Sequence, residues 1–343
     1  MNDKVDIVVS WLDNEDTKWQ NVFFEEFQKY QKNQGIDTEN DQMNPASRFR
    51  DFNAFRYWFR GIEKNAPWVN KIYLVTCGHF PKWLNKEHPK LVLVSHEEFI
   101  PKKYLPTFSS ITIALNLHRI EGLSDKFVYF NDDMYMINPT KTTDFYKGNI
   151  PCDSLTLIPA QTHGDFYHFA INDMQLINRE FSKNDIVKKN LLKMINPKVG
   201  LAYVATTLLQ LPYPNISDLL HFHAPTAVNK HIYSEVWEKF FDEMDKACSY
   251  KFRNINSASD WVVRRYSLAS GNFVPKNIGK FFQFVELNEE NIEILETFIN
   301  KTNKKVLCLN DSLFLPEEKF EKAKETLTKA LERKLSEKSS FEL

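Results

Sequence analysis

Glycine is scarce in this chain, at 9 of 343 residues, and the glycine-dependent nucleotide signatures are missing. There is no GxxxxGK[ST] loop, which argues against a P-loop ATP or GTP hydrolase. There is no GxGxxG or GxSxG either, which makes hydride transfer and serine hydrolysis poor fits. The four cysteines, Cys77, Cys152, Cys248 and Cys308, form no CxxC pair and no spacing suited to a zinc cage. A chain of this length buries a substantial core without disulfides, so we read them as reduced thiols with no catalytic part. Charge of one sign is also lacking: 44 basic against 45 acidic residues leave −1. No global field draws the chain to nucleic acid or an acidic bilayer, and an anionic ligand must be held by a local constellation. The opening MNDKVDIVVSW lacks the apolar core of a signal peptide, and no apolar run is long enough to span a membrane. The expectation is a cytoplasmic protein.

Aromatic residues are plentiful, with 28 Phe, and an aromatic-rich core accounts for most of them. Short β-rich runs occur at 6–11, 71–76, 91–95 and 126–130, separated by helical stretches, notably 52–65 and 109–122. Such alternation predicts an α/β fold with a largely parallel sheet flanked by helices, whose ligands gather at the carboxyl ends of the strands. A polar segment over 35–47 suits a loop folding over a site. We expect an α/β core over 1–150 and a mostly helical insertion over 151–220 suited to binding an acceptor, with helices near 171–181 and 185–194. A region over 221–315 with a helix over 232–247 follows, and a C-terminal helix and tail occupy 316–343. In that last helix Phe320, Ala323, Leu327, Leu331 and Leu335 share one face, which either docks on the body or meets a partner or membrane surface.

Four places could carry chemistry. The run Phe127-Val-Tyr-Phe-Asn-Asp-Asp133 ends an apolar strand in Asn131, Asp132 and Asp133, hard oxygens able to hold Mg²⁺ or Mn²⁺ beside a diphosphate; a turn or helix cap uses the same residues. Asp6-Ile-Val-Val-Ser-Trp-Leu-Asp13 is a similar strand whose Asp13 suits a base, ribose or metal, or simply a surface turn. Ser47-Arg-Phe-Arg-Asp51 places Arg48, Arg50 and Asp51 at the first turns of a predicted helix, as a phosphate clamp or as structural ion pairs. His221-Phe-His223 supplies imidazoles able to deprotonate a sugar hydroxyl, and Arg253 is a candidate second phosphate ligand.

Taken together these segments resemble the Stealth family of sugar-phosphate transferases, which includes bacterial capsule and exopolysaccharide phosphotransferases and the catalytic subunit of animal N-acetylglucosamine-1-phosphotransferase. Four blocks match in order. The first is Asp6 to Asp13, with Trp11. The second runs from Ser47-Arg-Phe-Arg-Asp51 through Asn65-Ala-Pro-Trp68, Leu105-Pro-Thr-Phe-Ser-Ser110 and His118-Arg-Ile-Glu-Gly-Leu-Ser124 to Asn131-Asp-Asp133. The third is His223-Ala-Pro225 onward to Arg253, and the fourth Cys308-Leu-Asn-Asp311. The resemblance implies that Trp11, Asp13, Arg48, His118, Asn131, Asn310 and Asp311 bind substrate, that Asp132 and Asp133 hold the metal and diphosphate, and that His223 and Arg253 stand at the catalytic centre with Asp133. One departure is Ile113-Ala114-Leu115, where the family often carries an acidic residue.

The reaction so implied is attack by an acceptor hydroxyl on the β-phosphorus of a UDP-sugar, releasing UMP and leaving a phosphodiester on a polysaccharide or lipid-linked oligosaccharide. His223 or Asp51 takes the proton, an alternative the sequence leaves open. The rival readings are a metal-dependent glycosyltransferase that releases UDP and a non-catalytic carbohydrate-binding protein. Peripheral contact with the inner face of a membrane, through the tail helix, completes the expectation.

Overall fold

The computed structural model describes residues 4–34, 44, 49–161, 164, 167–288, 290–311 and 315–343. Four apolar runs form the parallel part of the main sheet: β1 (Asp6–Ser10), β2 (Ile72–Thr76), β3 (Leu91–Ser95) and β4 (Lys126–Asn131). Their order is β4-β1-β2-β3, and the strand Thr226–Asn229 adds antiparallel to the free edge of β4. β1, β2 and β4 are buried almost throughout, which is why they read as continuous apolar runs instead of alternating ones. The expected strand positions and the largely parallel arrangement are both found.

A second, three-stranded sheet lies beside this one. Its members are β5 (Met134–Met136), the strand Phe282–Leu287 and the strand Val306–Asp311, with the last in the middle, parallel to 282–287 and antiparallel to β5. β5 follows β4 after two residues, so the Asp132-Asp133 corner joins the two sheets.

The helix expected over 52–65 begins only at Phe55 and runs to Asn65 (hereafter the close-packed helix), so Arg50 and Asp51 lie on its lead-in and not in its first turn. It approaches β5 closely because Gly61 has no side chain: a Cβ there would sit 2.5 Å from the Met136 carbonyl oxygen. The predicted helix over 109–122 ends at Leu115, where the buried Asn116 amide donates back to the Thr112 carbonyl (2.8 Å). The helix expected over 232–247 is broken at Phe240 into Lys230–Lys239 and Phe241–Ser249. Helices Tyr167–Glu180 and Lys183–Met194 stand in the inserted region, with a further helix, Leu201–Gln210. Apart from Asn44, the loop expected over 35–47 lies outside the described residues.

In the tail helix Glu317–Lys334 the predicted apolar face, with Leu335 just beyond it, is fully inside: Phe320, Ala323, Leu327, Leu331 and Leu335 are all 3% exposed or less. Phe320 packs on Phe52 with ring centroids 4.8 Å apart. Arg60 clamps the end of the chain, bonding both Glu342 carboxylate oxygens (2.9 and 3.1 Å), Glu332 and the Leu335 carbonyl. This face belongs to the core and is not available to a bilayer, which corrects the membrane role expected for it. Among the described residues no helix is long and apolar enough to cross a membrane.

Candidate active site

Strand register assembles the site. In the β1–β4 pair Ser10 lies opposite Asn131, so Trp11 and Asp132 emerge side by side from the carboxyl edge of the sheet. The strand Thr226–Asn229 runs antiparallel to β4 with Thr226 opposite Tyr129. The residues preceding Thr226 therefore project past the end of β4, and His223 arrives next to Asn131, with Asn131 Nδ2 and His223 Nε2 3.4 Å apart. On the other side Cys308 pairs with Met134, and one step further the Leu309 N–H donates to the Asp133 carbonyl (2.9 Å). The Cys308 thiol donates to Asp133 Oδ2 at 3.2 Å. Three segments far apart in sequence thus meet at one strand end, as ligand sites do in open α/β sheets.

Negative charge is concentrated there, and among the described residues Asp51, Asp132 and Asp133 make no ion pair. Burial, then the carboxylates of Asp133 and Asp51, push the Asp132 carboxyl well above the usual range. Burial also raises Asp51, against the Asn53 N–H that it accepts at 2.7 Å, and Asp13 adds to the effect from the tip of β1. Asp133 Oδ1 is buried and has no hydrogen-bond partner among the described residues. Such a lone pair costs free energy unless something fills it. The buried indole N–H of Trp11 is likewise unpartnered, its ring stacked on Phe55 (5.5 Å, 4°).

These features fit a divalent cation, for which Asp132 and Asp133 would be the oxygen donors. Potential ligand atoms of Asp133, His223 and Cys308 also lie within 4.8 Å of one another, a softer donor set. The Cys308 thiol, however, is donating to Asp133, and burial lifts it well above its ordinary value, whereas a soft metal needs the thiolate. The carboxylate pair is the better reading, and Cys308, taken from its spacing as a bystander, orients Asp133.

Opposite the acids is a cavity of about 60 Å³ whose lining includes Ser110, Tyr129, Asn131, His223, Arg253 and Asp260. The Arg253 backbone is held from both sides by Asn44, whose Nδ2 donates to the Arg253 carbonyl and whose Oδ1 accepts its N–H (each 3.1 Å). The guanidinium donates to Ser110 Oγ at 2.7 Å. Burial lowers its pKa and Asp260 opposes the shift. Burial likewise pushes the Asp260 carboxyl up to about 6. Burial lowers His223 too, with Asp133 pulling the other way, so its imidazole is neutral at pH 7 and able to accept a proton. Phe284, partly exposed, meets its ring edge-on at 5.8 Å.

Of the residues singled out from sequence, Trp11, Asn131, Asp132, Asp133, Asp51, His223 and Arg253 are brought together. Asp13 stands at the rim: its backbone N–H donates to His79 Nε2 (2.8 Å) and its side chain caps the following turn through the Glu15 N–H (3.0 Å). Asp311 is held by Arg50 through a two-pronged pair (2.9 and 3.0 Å), and Asn310 donates to the Asp311 carbonyl (2.9 Å). His118 is placed elsewhere, stacked on Tyr233 at 5.6 Å with Trp237 beside it, and burial drives its pKa down to about 3. Arg48 lies outside the described residues. Asp260 and Tyr129 went unnoticed in the sequence; an acid directly before the helix Trp261–Ala269 was the available signal.

Comparison with known proteins sharpens this. The description "Stealth protein CR2, conserved region 2" fits residues 48–152. A capsular polysaccharide phosphotransferase, WcwK of Streptococcus pneumoniae, is 36% identical over 99% of this chain and 98% of its own. The receptor polysaccharide phosphotransferase WefC of Streptococcus oralis is 35% identical over 99% of each chain. The exopolysaccharide phosphotransferase cps2G of Lactiplantibacillus plantarum is 33% identical over 98% of this chain and 96% of its own. An active-site mutant of LgtC aligns over 94% of this chain and 95% of that one at 10% identity and a TM-score of 0.39. Full-length matches of this kind, on an α/β core, define a transferase enzyme. The chain belongs to the Stealth family of polysaccharide phosphotransferases.

Proposed function

We propose that this enzyme transfers sugar 1-phosphate from a UDP-sugar to a hydroxyl of a capsular or cell-surface polysaccharide, forming a phosphodiester and releasing UMP. The observation that carries the reading is the convergence of Asp132 and Asp133, His223 and Arg253 on one strand end, with the Asp133 lone pair and the Trp11 N–H both buried and unpartnered among the described residues. Acids repelling one another next to a neutral imidazole and a buried guanidinium suit phosphoryl transfer, which asks mainly for positioning and charge balance.

Asp132 and Asp133 would hold Mg²⁺ or Mn²⁺, which supplies charge neutralisation for the departing nucleotide. Arg253, aimed by Ser110, balances the equatorial phosphate oxygens. His223 takes the proton of the acceptor hydroxyl as its oxygen bonds to the β-phosphorus and the P–O bond to UMP breaks; the anomeric C–O bond is untouched. Asp51, its carboxyl raised by burial, is the second reading for the base. A nucleotide-sugar donor places the reaction on the cytoplasmic side.

Incubating the enzyme with Mg²⁺ or Mn²⁺, UDP-sugars and an oligosaccharide acceptor tests the proposal. UMP release together with a phosphodiester ³¹P signal is expected. UDP without that signal means ordinary glycosyl transfer, and no donor turnover means a binding protein.

A further inference from the structure

The helix Leu201–Gln210 is built inside out. Leu201, Ala205, Leu208 and Leu209 form one stripe at i, i+4, i+7 and i+8, yet all four are exposed, Leu201 by 76% and Leu209 by 72%. Its one fully buried side chain is Thr207, whose hydroxyl accepts the Leu157 N–H at 3.2 Å. Tyr213, just past the helix end, is exposed as well, and so is Leu192 of the preceding helix, by 80%. An amphipathic helix normally turns such a stripe inward; an apolar face kept in solvent marks a surface that something covers.

Charge identifies what covers it. From Lys183 to Tyr213 the chain carries Lys183, Lys188, Lys189, Lys193 and Lys198 against Asp185 alone, in a protein of net charge −1. Lys183 and Lys193 are committed: Lys183 donates to the carbonyls of Gln210 (2.8 Å), Leu211 (3.1 Å) and Tyr213, pinning the two helices together, and Lys193 donates to that of Gly271 (2.6 Å). Lys188, Lys189 and Lys198 are exposed and make no ion pair among the described residues. We propose that this pinned helix pair is a docking surface for an anionic lipid bilayer, its leucines entering the interface and its lysines meeting the headgroups. A second copy of the chain fits less well, because self-apposition of the patch sets lysines against lysines.

Docking would orient the reaction. Tyr203 of the same helix meets Phe222 edge-on at 5.9 Å, and Phe222 precedes His223. A bilayer-seated helix therefore brings the His223 segment to the membrane surface, where a lipid-carried acceptor resides. This consequence rests on the proposed reaction; the docking does not.

The test is co-sedimentation of the full chain with phosphatidylglycerol–phosphatidylcholine vesicles and with pure phosphatidylcholine vesicles. Binding to the anionic vesicles is expected, falling as salt rises. It should weaken at least about tenfold in the triple variant Leu201→Ser, Leu208→Ser, Leu209→Ser, and again in Lys188→Glu, Lys189→Glu, Lys198→Glu. A wild-type protein that stays in the supernatant, a leucine variant that binds as wild type does, or a wild-type dimer that the leucine variant dissolves would overturn the proposal. Nucleotide release with a soluble oligosaccharide is measured on the wild type alone; its absence there would defeat the proposed reaction while leaving vesicle binding to decide the docking.

Discussion

Two clusters of buried acid lie side by side in this molecule and are treated in opposite ways. Asp173 accepts the Ser259 N–H (2.8 Å) and hydroxyl (2.6 Å) and shares Arg265 with Asp218, the three side chains all 7% exposed or less. Asp51, Asp132 and Asp133, by contrast, repel one another, and among the described residues they make no ion pair and Asp133 Oδ1 has no hydrogen-bond partner. The boundary falls between consecutive residues: Ser259 belongs to the ion-paired network, and Asp260 faces Arg253 in the cleft. The paired cluster anchors the loop that presents Asp260 to the cleft. A carboxylate the fold has already matched is structural, and one left unmatched at a strand end awaits a ligand.

The largest expected effect breaks the unpaired side. Asp133→Asn should lower turnover by roughly 10³ or more without lowering the thermal midpoint, since it relieves repulsion. His223→Ala should lower turnover by roughly 10² to 10⁴, again with the midpoint kept; near-wild-type turnover would remove it from the base role and favour Asp51. On the paired side the readout reverses. Asp173→Ala leaves Arg265 buried with one partner fewer and should cost about 3–5 kcal/mol in urea unfolding, a loss visible before any assay of activity.

A milder test uses pH. Burial tends to raise Glu342, but the Arg60 hydrogen bonds outweigh it and hold the carboxyl below its ordinary 4.5. The folded pKa being the lower one, the clasp's stabilisation is complete above about 4.5 and is lost as pH falls through the folded value. Acid unfolding curves of wild type and Glu342→Gln should therefore differ above that range and converge below it. Smallest of all, Lys29→Ala, which removes an exposed pairing with Glu25 and Glu26, should leave unfolding unchanged.

The parallel strands were legible because burial on both faces writes them as unbroken apolar runs, and the acid-tipped end of β4 was visible for the same reason. The close-packed helix was legible but its start was not, since Phe52 and Ala54 are buried as lead-in residues and continue its apolar look. The helix Thr17–Gln34 escaped notice although Trp19, Phe23 and Phe27 repeat every fourth residue; they pack on Phe108 and Phe252 from distant segments. The second sheet was invisible because its pairings are long-range. Arg50 and Asp311 sat in recognisable motifs, yet only the fold shows that they bind each other. His118 shows the opposite failure: a motif position that the chain uses for packing.

The central strand of the second sheet has a consequence for biosynthesis. Its Cys308, 175 positions further along the chain, and the adjoining Leu309 grip Asp133. A ribosome exposes the acidic corner early and must translate about half the protein again before the strand that orients it emerges. Until then a nascent chain carries the acidic corner without the strand that orients it.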